Sequence, residues 1–394
     1  MTKRQNAYQR QAGQGMLAPG VRWLLLSVAA ASASIGAYAH PATTATDRID
    51  SVATNSPEVP GAIVLVRHAG KPDWTHVIGV RAKGGSALAT ADEFRIASVT
   101  KTYVAAALLR LVEQHRLNLG DRIADRLSPP MIALLRRGGY DPDGITIANL
   151  LTHRAGLRDY ATTAAYYTAV GSDPGHRWTP AEQIAMTMED GPPLAAPDTS
   201  YAYSDAGYVL IGEIIERSTG QSLGDAVPAL IGFARLGINH SYWEPVPDGI
   251  VTAIPSNRAH AYQDGVDTAA INPSFDIHGG GGLVATAGDV MTFFQALLDG
   301  RVFDSPKTLA LMLAPATRPV PPEEGIGYGL GIEPIAVGKT RCWGHKGHWG
   351  TAAFWCPAAK AGFVVSINAA GAVAHQRARA IMAIAGDLAI AQRP

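Results

Sequence analysis

Two side chains near residue 100 have the types and the spacing for covalent catalysis. Ser98 and Lys101 lie in Phe94-Arg-Ile-Ala-Ser98-Val-Thr-Lys101-Thr-Tyr-Val-Ala-Ala-Ala-Leu-Leu, where a strongly apolar helical run begins. A spacing of three places both on one helix face, one turn apart. A hydroxyl held beside an amine is a nucleophile next to its proton acceptor. The pair alone is a weak signal, because composition gives about one S-x-x-K in a chain this long. The surrounding segments have to carry the assignment.

Three such segments follow. Leu150-Leu-Thr-His-Arg-Ala-Gly156-Leu157 comes first, then Tyr201-Ala-Tyr203-Ser204-Asp205, then Trp343-Gly-His345-Lys346-Gly347-His348 near the C-terminus. With these in place the chain resembles the penicillin-recognising serine hydrolases. The nearest group there holds class C β-lactamases, D-alanyl-D-alanine carboxypeptidases and family VIII esterases. The resemblance runs over roughly residues 57–390, with the segments in the family's order. It implies an α+β fold of the β-lactamase/transpeptidase type: an antiparallel sheet flanked by helices, with an inserted helical subdomain. No metal or organic cofactor is implied.

The resemblance makes Ser98 the nucleophile, with Lys101 and Tyr203 moving the proton; residue identity leaves open which of the two is the base. It builds the oxyanion hole from the backbone N–H groups of Ser98 and His348. A helix N-terminus beneath Ser98 favours the charge that develops there, and each such donor contributes roughly 3 kcal/mol. Gly347 lets backbone approach closely. Asp205, His345 and Lys346 are the supporting side chains, with His345 expected to hydrogen-bond Tyr203 or the third-motif hydroxyl. Asp205 stands where Asn is usual, which replaces an N–H donor by an acceptor. Lys346 stands where Thr or Ser is frequent; it is either a cation facing the cleft or a solvated surface charge. These departures favour a carboxypeptidase- or esterase-like hydrolase acting on an ester or amide. The alternatives are a class C-like β-lactamase, or a slowly deacylating penicillin-binding or peptidoglycan-sensing protein.

Other candidates take structural readings. Gly220-Gln-Ser222-Leu-Gly224 matches the nucleophile-elbow pattern, but that motif needs a preceding strand, and Val209 to Ser218 has helical periodicity. Ser222 is therefore read as a turn or helix-cap residue. His153 is read as structural, near a helix end. His345 and His348 fall on opposite faces of one strand, which argues against a shared metal.

The elements that must position these groups are legible in outline. Gly61–His68 reads as a buried strand and Trp74 to Arg81 as its partner. The Ser98 helix runs to about Leu117. Residues 121–270 carry short helical patterns broken by Pro and Gly, including Gly207 to Glu216. Thr286-Ala-Gly-Asp289 is a capping-box pattern opening a helix at Val290–Leu298. Thr340–Lys346, Thr351–Cys356 and Gly362–Asn368 form a meander, and Val373–Ile390 a helix packed on it. Strands at both ends around a helical middle imply one sheet built from both termini. The expected division is a domain over 57–392, with its sheet part at 57–120 and 271–392 and its helical part at 121–270.

Acidic and basic residues balance at 33 each, so nothing points to nucleic acid or a charged membrane surface; the expected partner is a small-molecule or peptide substrate. Lys3, Arg4, Arg10 and Arg22 precede an apolar run at Trp23, and Ala37-Tyr38-Ala39 fits the small-residue cleavage rule. Residues 1–39 are read as an export signal, 40–57 as a polar leader, and the mature protein as periplasmic or secreted without stable membrane insertion. Cys342 and Cys356 are symmetric about position 349, in a Gly-rich hairpin turn. A cross-strand disulfide is expected there, and zinc is disfavoured because only two thiols exist.

Overall fold

The computed structural model describes residues 44–54, 58–314 and 327–391. The expected export signal and the first residues of the leader lie outside them. The main sheet is built from β1 (Gly61–His68), β2 (Trp74–Gly79) and four C-terminal strands. A second, small sheet uses β3 (Glu93–Arg95), β4 (Ser241–Trp243) and β5 (Leu283–Thr286). The C-terminal strands are β6 (Glu333–Val337), β7 (Thr340–Gly347), β8 (Thr351–Cys356) and β9 (Ala361–Ser366). The main sheet runs β2-β1-β9-β8-β7-β6 and is antiparallel throughout. The strand nearest the N-terminus thus pairs with one from the other end of the chain, Ile63 facing Ser366.

Strand alternation divides the interior in two. Ile63, Leu65, Ala353, Trp355 and Val364 point into one core. Val64, Val66, Ala352, Phe354 and Val365 point into the other. Burial on both faces explains why these strands are apolar runs rather than alternating sequences. The first core holds α2 (Thr100–Glu113), α3 (Asp205–Thr219) and α4 (Ala287–Leu298); the second holds α1 (Ala45–Ala53) and α5 (Ala372–Ile390).

Helix α1 corrects the reading of residues 40–57 as a leader. Thr44 and Asp47 close a capping box at its start. Ile49 and Ala53, four apart and so on one face, are buried, and the helix packs on α5. The helical middle is also shorter than 121–270. Its helices end at Leu236, and Ser241–Trp243 joins the small sheet beside Leu283–Thr286. Thr286 caps α4 by accepting from the Asp289 N–H, but the Asp289 carboxylate turns away to accept from His240 N–H (2.5 Å) and Ser241 Oγ (3.2 Å). Only half of the expected capping box forms; the other half ties α4 to β4.

Cys342 and Cys356 are joined by a disulfide. They extend by one pair the β7–β8 register that sets Trp355 opposite Trp343. Thiol titration of the denatured, unreduced protein is expected to find no free thiol, and two per chain after reduction. Two thiols before reduction would overturn the bridge.

Candidate active site

Strand β3 ends in a single tight turn, Ala97–Val99, that leads directly into α2. Ala97 sits at φ 47°, a left-handed conformation that costs a non-glycine residue about 1 kcal/mol. The turn leaves Ser98 partly exposed while Thr100, Lys101 and Thr102 are fully buried. Lys101 Nζ lies 2.9 Å from Ser98 Oγ and 2.8 Å from the Gly280 carbonyl oxygen, and it is ion-paired with Asp205. Three polar partners thus surround Nζ: an ammonium donates to all three, and an amine donates to two and accepts the Ser98 hydroxyl proton. Asp205 is the first residue of α3, where a carboxylate also suits the helix dipole.

Tyr203 precedes α3 by two residues. Its phenol hydrogen-bonds Ser98, and Lys101 Nζ stands 5.0 Å from its ring centroid. Burial first, then the charge of Asp205, pushes the Tyr203 phenol well above its usual range; the bond to Ser98 acts the other way. An alcohol, an amine and a phenol from two distant segments therefore share one contact.

Gly347 brings β7 against the Ser98 turn. A Cβ there would lie 2.4 Å from the Ile96 carbonyl oxygen and 3.3 Å from the Ala97 Cβ. Only hydrogen fits, so the close approach is to the protein's own backbone. His348 follows at the turn after β7. Its Nε2 lies 2.7 Å from Gln263 Oε1, and its carbonyl accepts from His375 Nε2 at 2.7 Å. Burial and His375 lower the His348 imidazole to about 4, which keeps it neutral.

His345 commits both ring nitrogens to groups other than Tyr203, whose ring centroid is 6.3 Å from its own. Its Nδ1 donates to the Lys346 carbonyl (2.6 Å), so its Nε2 accepts from the Tyr328 hydroxyl (2.9 Å). Burial, then the charge of Lys101, lowers this imidazole to about 3. Tyr328 has no catalytic spacing to betray it; the signal was its Gly-Tyr-Gly-Leu-Gly setting at 327–331. Lys346 is half exposed, at the cleft, and pairs with Glu333 (Nζ to Oε2 3.0 Å), whose Oε1 also accepts the Lys346 N–H. Its charge is matched within the sheet. Ser222 caps the helix Leu223–Ile231, its Oγ accepting the Asp225 N–H.

These groups open on a cavity of about 980 Å³ lined by Ser98, Tyr203, Asp205, His345, Tyr328 and Lys346 among others. Three further carboxyls that sequence reading passed over face it, Asp159, Asp264 and Asp276. Burial, then repulsion from Asp205, raises Asp159 to about 8 and Asp276 to about 7. Among the described residues, no group of three or more His, Cys, Asp or Glu side chains is placed to hold a metal ion.

The family model described as Beta-lactamase matches residues 49–386. Esterase EstB of Burkholderia gladioli is 29% identical over 349 residues, covering 82% of this chain and 88% of the relative. Penicillin-binding protein 4 of Amycolatopsis lactamdurans is 33% identical over 202 residues, covering 50% of this chain and 48% of the relative. A D-stereospecific amidohydrolase from Streptomyces superposes with a TM-score of 0.72 at 28% identity, covering 87% of this chain and 98% of that one.

Two outcomes follow from the geometry. Gly347→Ala pushes β7 off the Ser98 turn, and kcat is expected to fall about 100-fold with the fold retained; steady-state rates with thermal melts check this, and wild-type turnover would overturn it. Asp276 holds its proton more tightly in the folded protein than the ordinary value of 3.8 allows. The stability this contributes is complete below about pH 4 and lost as pH rises through about 7. The Tm of Asp276→Asn should therefore gain on wild type across that window and then level; a pH-independent difference would remove the carboxyl from this field.

Proposed function

The chain belongs to the Beta-lactamase family and is a serine hydrolase, and we propose that it cleaves an ester or amide through an acyl-enzyme on Ser98, as an esterase- or carboxypeptidase-like enzyme exported from the cytoplasm. The observation that carries this reading is the contact of Lys101 Nζ and the Tyr203 phenol with the Ser98 hydroxyl at the foot of an open cavity.

Ser98 Oγ attacks the carbonyl carbon, and its proton passes to Lys101 in the amine form, whose two remaining N–H groups stay on Asp205 and the Gly280 carbonyl. Tyr203 carries the proton to the leaving alcohol or amine. Its phenol stays neutral while buried, so it relays a proton rather than storing one. Backbone N–H groups of Ser98 and His348 receive the oxyanion, and water then deacylates the serine by the same path in reverse.

Charge in the cleft narrows the substrate. Asp159, Asp205 and Asp276 gather around the nucleophile, and Glu333 already pairs Lys346. An acyl group carrying its own carboxylate finds both Lys101 and Lys346 already paired with carboxylates of the protein. Neutral or amine-bearing acyl groups fit better, which favours an ester or amide over a D-alanyl-D-alanine terminus or a β-lactam. Export is supported by the N-terminal sequence pattern and by the disulfide, which suits an oxidising compartment. Among the described residues no helix is long and apolar enough to cross a membrane.

One panel tests the proposal: a short-chain nitrophenyl ester, a D-Ala-D-Ala peptide and a chromogenic cephalosporin. The ester is expected to turn over fastest. Ser98→Ala should lower its rate by roughly four orders of magnitude, while Ser222→Ala stays within about twofold, as for a cap remote from the reaction. If labelled penicillin instead forms a Ser98 adduct that lasts for hours while the ester is untouched, the protein is a penicillin sensor and the proposal fails.

A further inference from the structure

We propose that His153 is a positioning residue that sets the Tyr203 phenol against Ser98. This rests on the role given to Tyr203 above. His153 carries no motif chemistry of its own, and its backbone is held at φ 56°, a left-handed conformation that few non-glycine residues adopt and that histidine tolerates better than most. That conformation lets one residue grip Tyr203 from both sides. The His153 carbonyl accepts the Ala202 N–H at 2.9 Å, and its ring Nδ1 accepts the Ser204 N–H at 3.2 Å. These are the N–H groups of the two residues on either side of Tyr203. The imidazole itself lies against the Tyr203 ring, with centroids 4.2 Å apart.

Acceptance from Ser204 requires Nδ1 to carry no proton, so the ring is neutral with its hydrogen on Nε2. Its surroundings enforce this. His153 is only 3% exposed, and burial first, then the charge of Lys101, holds its pKa well below the usual histidine value. Nε2 has no oxygen or nitrogen partner among the described residues. Tyr203, Tyr208 and Tyr328 surround the ring at centroid distances of 4.2, 5.2 and 4.8 Å. A residue serving only the core would be apolar here. A buried polar ring in a left-handed backbone conformation, with one nitrogen bonded beside the phenol that meets Ser98, is explained by placement of that phenol.

The test compares His153→Leu and His153→Asn, each in wild type and in Tyr203→Phe, with nitrophenyl ester kinetics and thermal melts. Asn keeps an acceptor where Nδ1 sits and tolerates positive φ; Leu keeps bulk without the acceptor. His153→Leu should lower kcat about 30-fold with KM within about twofold, as for a misplaced catalytic group. His153→Asn should recover most of that loss. In the Tyr203→Phe background His153→Leu should cost nothing further, because both act through one group. Equal losses in the Leu and Asn variants that track Tm, or a full 30-fold loss persisting without the phenol, would overturn the positioning role alone. Wild-type activity in Tyr203→Phe by itself would instead overturn the role of Tyr203, and this inference with it.

Discussion

A lysine amine with no access to water must find an acceptor for every hydrogen it carries, because a buried charge left unpaired costs several kcal/mol. Lys101 meets that demand with acceptors drawn from three places in the chain: Ser98 on its own turn, Asp205 at the start of α3, and the Gly280 carbonyl. The last of these explains the glycine run at 279–282. A Cβ at Gly279 would lie 2.4 Å from the Tyr208 carbonyl oxygen. Without side chains the run lies directly on α3 and turns a carbonyl toward the amine. The same contact that satisfies Lys101 brings α2, α3 and the glycine loop to one point, and Tyr203 arrives there with α3.

The sheet supplies the opposite wall. Its central strands are anchored on both faces by apolar side chains, so β7 has little freedom to shift. Gly347 then lets that strand lie on the Ser98 turn without a clash. The approach of β7 to the Ser98 turn is thus a property of sheet packing and of one missing methyl group. His375, from α5, fixes the far side of the turn by donating to the His348 carbonyl. One wall of the cleft is therefore stiff, and on the other Asp159, Asp276 and the tyrosines come from the helical region and its loops.

Charge in that wall is concentrated. Asp205 serves Lys101, and its field helps to raise both Asp159 and Asp276 toward neutrality around physiological pH. Substitution of Asp for the usual Asn in the second motif therefore acts beyond its own position: it gives the amine a counter-charge and makes its acidic neighbours harder to ionise. Lys346, the other departure, is balanced by Glu333 within the sheet. The two changes together leave Lys101 and Lys346 each paired with a carboxylate of the protein.

Residue order alone determined the local features. The spacing of Ser98 and Lys101, the bounds of Gly61–His68 and Thr351–Cys356, the helical run over Gly207 to Glu216, the capping by Ser222 and the register linking Cys342 to Cys356 all depend on neighbours within a few turns or one hairpin. The four motif segments in order were enough to indicate the family. Tertiary structure decided the partners of polar groups. His345 meets Tyr328 rather than Tyr203, Lys346 meets Glu333, and His153 grips the chain around Tyr203. It also decided that Ala45–Ala53 belongs to the domain, since an amphipathic turn of one buried face is stable only where α5 covers it. The physical reason is common to all of these. Backbone propensity and side-chain period act over a few residues, whereas a buried donor is satisfied by whichever acceptor packing brings within 3 Å, however far away it lies in the chain.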